Sequence, residues 1–298
     1  MQTLPFGREG RFYRGNLHTH STRSDGRLPP EEVMRTYREA GYDFLVLSDH
    51  FMERYDYPVT DTTAMRTRDF VPVIGAELHA PRTAVGELWH IHAVGLPLDF
   101  APPAPGETGP ELARRAAAAG AFIGINHPSW YGLTVEDALT VEVAHAVEIY
   151  NHGSHIEVDR GVDWPFLDAL LNAGKRLTGY ATDDAHLWHD DAFGGWVQVH
   201  ADRGEPEALV ESLKAGRYYS SQGPVLHDVE IDGDRVRVRC SPAVAVAATG
   251  RGAKSEQQRG SDLTDVTLPI DRFRPGYLRL TVIDADGRRA WTNPVWLD

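Results

Sequence analysis

Cysteine is nearly absent from this chain: Cys240 is the single one in 298 residues. That excludes an internal disulfide and any thiolate-based metal site, and it suits a reducing compartment. No run of about 18 apolar residues occurs, so no membrane-spanning helix is expected. The opening stretch MQTLPFGREGRFYRG has no apolar core of a secretion signal, which makes the cytoplasm the expected location. Basic residues are short of acidic ones, 30 against 43, for a net charge of −13. A surface of that sign is a poor attractor for nucleic acid polymers or anionic membranes. It does not argue against a small phosphate ester, because bound cations can reverse the sign of the field inside a pocket. Motifs for other chemistries are missing as well. There is no G-x-S-x-G elbow, no phosphate-binding G-x-x-x-x-G-K-[ST] loop and no H-E-x-x-H helix.

What the chain has in number is histidine, fourteen in all. Their placement follows the strand-like runs. NLHTHSTRSDG brings His18, His20 and Asp25, and residues two apart on a strand share a face, so the two imidazoles converge. FLVLSDH ends in Asp49 and His50, VPVIGAE in Glu77, AFIGINHP in His127 and its proline, and AVEIYNH in Asn151 and His152. LWHIHAVGL carries His90 and His92, and RLTGYATDDAH ends in Asp183, Asp184 and His186.

Helix signals separate these runs. Segments 29–42, 110–120, 163–174 and 205–216 open with proline or acid and stop at Gly41, Gly120, Gly174 and Gly216. Alternation at this spacing predicts a parallel sheet covered by helices, and seven or eight strands make it barrel-sized. In a βα barrel the chemistry sits at the C-terminal ends of the strands, where these polar residues fall. After about residue 219 the pattern changes to alternating apolar and polar residues broken by Asp-Gly turns at 232–233 and 286–287, which predicts antiparallel hairpins. The expected organisation is a βα barrel over 1–219 and a β-rich appendage over 220–298. Within the appendage, 248–263 reads as a mobile polar loop and Cys240 as packing.

The collected set is His18, His20, Asp25, His50, Glu77, His90 or His92, His127, Asp184 and His186. Histidine with carboxylate and no thiolate suits Zn, Mn or Fe. The set is too large for one ion, so two or three divalent cations bridged by a carboxylate are expected, with Glu77 as the bridge. Such a cluster lowers the pKa of a bound water and polarises a phosphoryl oxygen. Glu77, Asp184 and His186 are the residues expected to matter most for turnover. Arg23 and Arg82 lie near ligand segments and are candidates to hold a substrate anion. His79, His145, His155, His189, His200 and His227 read as solvated or hydrogen-bonded, and His152 is left open.

Taken in order, HTHSTRSDG, FLVLSDH, GAE, HIHAVGL, INHP and DDAH resemble the PHP family, named for polymerase and histidinol phosphatase, over residues 12–220. The resemblance implies a distorted (β/α)7 barrel, a trinuclear metal centre and phosphoesterase activity. It implies one cation on His18, His20, Glu77 and Asp184. A second would lie on Glu77, His127 and His90 or His92, and a third on Asp25, His50 and His186. GRYYSSQGPV and AWTNPVW are similar to a branch that includes carbaryl hydrolase-like proteins with a β segment after the barrel. That branch implies hydrolysis of a carbamate or carboxylic ester. Three readings stand open: a hydrolase of small phosphate monoesters or nucleotides, a carbamate or carboxylic ester hydrolase, and a non-catalytic metal-binding module.

Overall fold

A computed structural model describes residues 4–297. The strands are β1 (Arg11–Asn16), β2 (Phe44–Leu47), β3 (His50–Phe51), β4 (Val71–Ala80), β5 (Trp89–Val94), β6 (Phe122–Ile125), β7 (Ala146–Asn151) and β8 (Thr178–Thr182). They continue as β9 (Trp196–Ala201), β10 (Tyr218–Ser221), β11 (Leu226–Asp232), β12 (Arg235–Gly250), β13 (Ser255–Pro269), β14 (Gly276–Ile283), β15 (Arg289–Thr292) and β16 (Val295–Leu297). The helices are α1 (Pro30–Glu39), α2 (Gly109–Ala118), α3 (Pro128–Tyr131), α4 (Val135–Thr140), α5 (His152–Val158), α6 (Trp164–Asn172) and α7 (Pro206–Lys214). Four of them match the expected helices to within a few residues. In α2, Thr108 and Glu111 form a reciprocal capping box, and Gly120 takes the left-handed turn just past the end.

The strands form one continuous sheet in the order β11-β12-β14-β15-β10-β9-β1-β2-β4-β5-β6-β7-β8. Two parts of it are parallel as expected, β1-β2-β4 and β6-β7-β8. The expectation of parallel strands in a distorted (β/α)7 barrel needs correction on two points. β5 runs antiparallel to both neighbours, because only residues 81–88 join it to β4, too few for a crossover. The sheet also does not close: β9 pairs antiparallel with β1, and β8 ends the ladder. Past their ends, the β1 and β8 chains meet through one isolated bridge, Thr19 to Ala185, with Asp184 N–H donating to the His18 carbonyl at 3.0 Å. Side chains satisfy part of the β8 edge: Gly179 N–H donates to Asn293 Oδ1 and Ala181 N–H to Ser220 Oγ, each at 3.0 Å. Asn293 belongs to the AWTNPVW segment, so that segment helps hold the strand that leads to Asp184.

β10 spans the expected boundary near 219 and is hydrogen-bonded to β9 on one side and β15 on the other. Beyond it the strands are antiparallel, and one expectation needs correction. Residues 248–263 are not a mobile loop: β12 and β13 pair almost to their tips, Thr249 opposite Ser255. Ser255–Leu263 is polar on both faces, so it lacks the alternation that signals a strand. Cys240 is buried in the appendage core. Arg279 on β14 ties the appendage to α6, with bonds of 3.1 and 2.7 Å to Asp168 and its guanidinium 4.0 Å from the Trp164 ring centre. Among the described residues, no helix is long and apolar enough to cross a membrane.

Candidate metal centre

Every strand in the β1–β8 region delivers its polar residues to the same end of the sheet. His18 and His20 follow β1, His50 lies on β3, Glu77 and His79 near the end of β4, His127 just past β6, and Asp184 and His186 past β8. Because β5 is antiparallel, its first residues lie at that end too, with His79 opposite His90 and Glu77 opposite His92. His127 and Asp184 have positive φ, +20° and +54°, a strained backbone of the kind that gathers at functional sites.

Ligand-type atoms then fall into overlapping groups. Around Asp25, Oδ2 lies 3.3 Å from His50 Nε2, and Oδ1 lies 3.4 Å from His186 Nε2 and 3.8 Å from His20 Nδ1. Around Asp184, Oδ1 lies 3.1 Å from His18 Nε2 and 3.0 Å from His20 Nε2. Around Glu77, Oε1 lies 2.9 Å from His90 Nδ1, 3.2 Å from His127 Nε2 and 3.6 Å from His18 Nε2. The structure therefore brings together His18, His20, Asp25, His50, Glu77, His90, His127, Asp184 and His186.

Three expected residues stand apart. His92 belongs to no ligand group among the described residues. It is fully buried one step deeper than His90, its ring centre 5.0 Å from that of His18 and both ring nitrogens without a side-chain partner. Arg23 and Arg82 are exposed and do not line the cavity above the cluster. Arg54 does, from a single 3-10 turn (Glu53–Tyr55) that carries no sequence signal.

Sequence reasoning also passed over residues that act here. His79 reads as bland, yet its Nε2 lies 2.8 Å from His50 Nδ1 and 3.4 Å from Glu77 Oε2. His189 lines the cavity while remaining exposed. Glu148 on β7 is fully buried and organises the floor. His18 Nδ1 lies 3.0 Å from its Oε1, while its Oε2 accepts from His127 N–H at 2.7 Å and Asn151 Nδ2 at 3.0 Å, and Thr182 Oγ1 donates to it as well. A carboxylate behind a ligand histidine fixes the tautomer and aims the other nitrogen. The signal was present: one acid in the otherwise apolar and wholly buried strand AVEIYN.

Two acids read at strand ends serve as anchors. Asp49 accepts from Ser21 N–H, Ser21 Oγ and Ser24 Oγ at 2.7–2.8 Å, shaping the loop that carries Asp25. Asp183 accepts from Tyr37 Oη and the N–H groups of Phe193, Gly194 and Gly195, shaping the loop after Asp184 and His186. Burial lifts its pKa to about 6 against these bonds.

The electrostatics are those of interlocked opposite charges. Burial would raise the Glu77 carboxyl, but the fields of His90, His50, His18 and His79 hold it well below the ordinary carboxylate range. Asp184 is held down in the same way by His18 and His20. Burial would lower His50, but Glu77 and Asp25 carry it up to about 10, and Asp25 with Asp184 carries His186 up to about 9. His90 and His92 go the other way, down to about 3, with burial the largest cause.

These residues fit divalent cations. His18 Nε2, Asp25 Oδ1, Glu77 Oε2 and His127 Nδ1 are buried with no hydrogen-bond partner, a costly condition for polar atoms in a folded core. The donors are imidazole and carboxylate, the chemistry of Zn, Mn and Fe sites. Replacing Glu148 by glutamine is expected to weaken cation affinity by roughly 10- to 100-fold while the fold persists. Chelator competition on the purified variant measures this, and unchanged affinity would remove Glu148 from the site.

Above the cluster opens a cavity of about 530 Å³. Its walls include Met52, Arg54, Trp130, Glu157 and Trp188. Trp130 packs edge-on against His90 and His127, at ring-centre distances of 5.5 and 5.3 Å, and Trp188 Nε1 donates to the Asp25 carbonyl at 2.8 Å. His18, His20 and Glu77 are fully buried and do not line it.

Comparison with solved structures bears out the PHP resemblance at the level of fold. A two-domain protein from Bacteroides vulgatus containing a predicted PHP-like metal-dependent phosphoesterase aligns over 96% of both chains, with a TM-score of 0.53 and 16% identity. A chain from Bifidobacterium adolescentis that carries the same metal-dependent phosphoesterase assignment covers 58% of this chain and 87% of its own, at 14% identity and a TM-score of 0.43. An amidohydrolase from Chromobacterium violaceum, with bound sulfate and no metal, covers 59% of this chain and 89% of its own, at 16% identity and a TM-score of 0.45. No family model matches the chain, and no curated protein matches it by sequence.

Proposed function

We propose that this chain is a metal-dependent hydrolase of small phosphate monoesters. The observation that carries the reading is the convergence of Asp25, Glu77 and Asp184 with six histidines beneath one open cavity, with ligand atoms that are buried and unpartnered. Bound divalent cations would supply a water of lowered pKa and neutralise charge on a phosphoryl oxygen. One would be held by His20, Asp25, His50 and His186, another by Glu77, His90 and His127, and a third by His18 and Asp184 with their neighbours.

The chain's own groups supply the rest. Glu148 aims His18, and Asp49 and Asp183 fix the loops that carry Asp25, Asp184 and His186. Arg54 reaches the cavity with a permanent positive charge suited to a phosphate oxygen. Trp130 and Trp188, 41% and 58% exposed, offer faces that a leaving group would cover, excluding water from the reacting bond. The cavity volume suits a small molecule, and the net charge of −13 favours no nucleic acid polymer or membrane as partner.

The test is phosphate release from a panel of small monoesters, with the protein reconstituted in Zn, Mn or Fe and again after chelation. Turnover that chelation removes and cation restores is expected. Turnover insensitive to chelation would end the proposal. A second reading has its own support: among the described residues Arg54 is the one arginine lining the cavity, beside two open indole faces, which also suits an uncharged aryl carbamate or carboxylic ester. Release of phenols from such esters with no phosphate release from monoesters would favour it.

A further inference from the structure

We propose that His79 is a metal ligand, holding a cation together with His50 on the Oε2 side of Glu77. This rests on the metal-dependent reading above and extends the ligand set that the motifs imply.

Glu77 stands at the crossing of too many nitrogens for hydrogen bonding alone. Around Oε1 lie Asn126 Nδ2 and His90 Nδ1 at 2.9 Å, His127 Nε2 at 3.2 Å and His18 Nε2 at 3.6 Å. Around Oε2 lie His50 Nδ1 at 2.6 Å and His79 Nε2 at 3.4 Å. A carboxylate offers about four lone-pair positions. The Oε1 side is filled by a neutral amide and three imidazoles, but Oε2 accepts no hydrogen bond although it is fully buried.

The two nitrogens beside Oε2 are 2.8 Å from each other. In a hydrogen bond between them, one imidazole donates its proton to the other and Oε2 gains nothing. Oε2 then keeps the charge of His50 at 2.6 Å but no hydrogen bond of its own, a costly state for a buried carboxylate oxygen. A cation at the same point takes lone pairs from His50 Nδ1, His79 Nε2 and Glu77 Oε2 together. A neutral imidazole has one lone pair, so His50 Nε2 then keeps its proton toward Asp25 at 3.3 Å and the neighbouring cation is left to His20, Asp25 and His186.

His79 also has the placement of a ligand. It shares a strand face with Glu77, two residues away, the same spacing as His18 to His20 and Asp184 to His186. It is 6% exposed and lines the cavity, so a cation entering from solvent can reach it. With Oε1 facing His90 and His127, Glu77 would then bridge two cations, one per oxygen.

The experiment compares the full-length protein with His79→Ala and, as a conservative substitution that keeps a polar side chain, His79→Gln. Each is stripped, reconstituted with Co²⁺ and measured for bound metal, chelator competition and Co²⁺ absorption, with circular dichroism to verify folding. Both variants are expected to lose one equivalent of cobalt, or to hold it at least about 100-fold more weakly, and to change the Co²⁺ spectrum. Unchanged metal content, affinity and spectrum would overturn the proposal. Weaker binding with an unchanged spectrum would also overturn it, since His79 would then only orient His50. Wild-type protein that binds no cation at all would instead sink the metal-dependent reading itself, so the two failures are distinguishable.

Discussion

Replacing Glu77 with alanine is expected to lower turnover by about 1,000-fold or more, roughly 4 kcal/mol of transition-state stabilisation. Among the described residues no other side chain touches as many ligand atoms, with five histidines within 3.6 Å of its two oxygens. Without it the His90–His127 group and the His50–His79 pair lose their shared anion, and reconstituted metal content should fall by at least one equivalent. The fold should survive, because the apolar cores that hold the sheet lie around and beneath the cluster. Steady-state rates, metal analysis and thermal unfolding of the same preparation check all three statements. Near-normal turnover in Glu77→Ala would show that the carboxylate bridges nothing.

Metal uptake is expected to be steeply pH-dependent. In the metal-free protein His50 titrates at about 10 and His186 at about 9, raised by Asp25, Glu77 and Asp184 against the opposing effect of burial. Both are protonated at pH 7, whereas a cation requires them deprotonated. Loading the cations that these two histidines hold therefore expels both protons, and the overall apparent affinity should rise about 100-fold per pH unit until roughly pH 9.

The metal-free protein should show the opposite trend in stability. A histidine whose folded pKa exceeds its unfolded value of about 6.5 contributes fully below that value and loses its contribution as pH rises through 9 and 10. Asp25, held below its ordinary value by His186 and His50, contributes above about pH 4 and loses that contribution in acid. Thermal unfolding of stripped protein should therefore weaken from pH 7 toward pH 10, and added metal should restore the loss. Calorimetric titration in buffers of different ionisation enthalpy counts the protons released. A count of zero, with affinity flat in pH, would contradict the charge assignments.

The site was legible in the sequence where one strand end supplies its own signal. His18-x-His20 and Asp184-x-His186 sit past apolar runs, and their shared-face spacing gives them away. Glu77-x-His79 has the same spacing, but the apolar run VPVIGAE ends at Glu77, so the spacing gives His79 no strand end of its own. His90 and His92 share a face, so spacing could not choose between them. The choice comes from register, which sets His90 against His79 at the cavity end and sinks His92 beneath His18. Glu148 was hidden because a strand-interior acid announces that it needs partners without saying which. Arg54, Trp130 and Trp188 sit on loops and short helices whose direction depends on tertiary packing. In the fold, helix ends followed from proline and glycine, but the 81–88 hairpin turned β5 around, and the polar β12–β13 arm lacked any apolar alternation to mark it.

A crystal grown in Mn²⁺ and measured at a wavelength where manganese scatters anomalously tests the centre most directly. At least two peaks are expected, each at coordination distance, about 2.0–2.3 Å, from oxygens of Glu77, Asp25 or Asp184 and nitrogens of the surrounding histidines. A map with no ordered cation, and histidines still hydrogen-bonded to those carboxylates, would contradict a metal-dependent hydrolase.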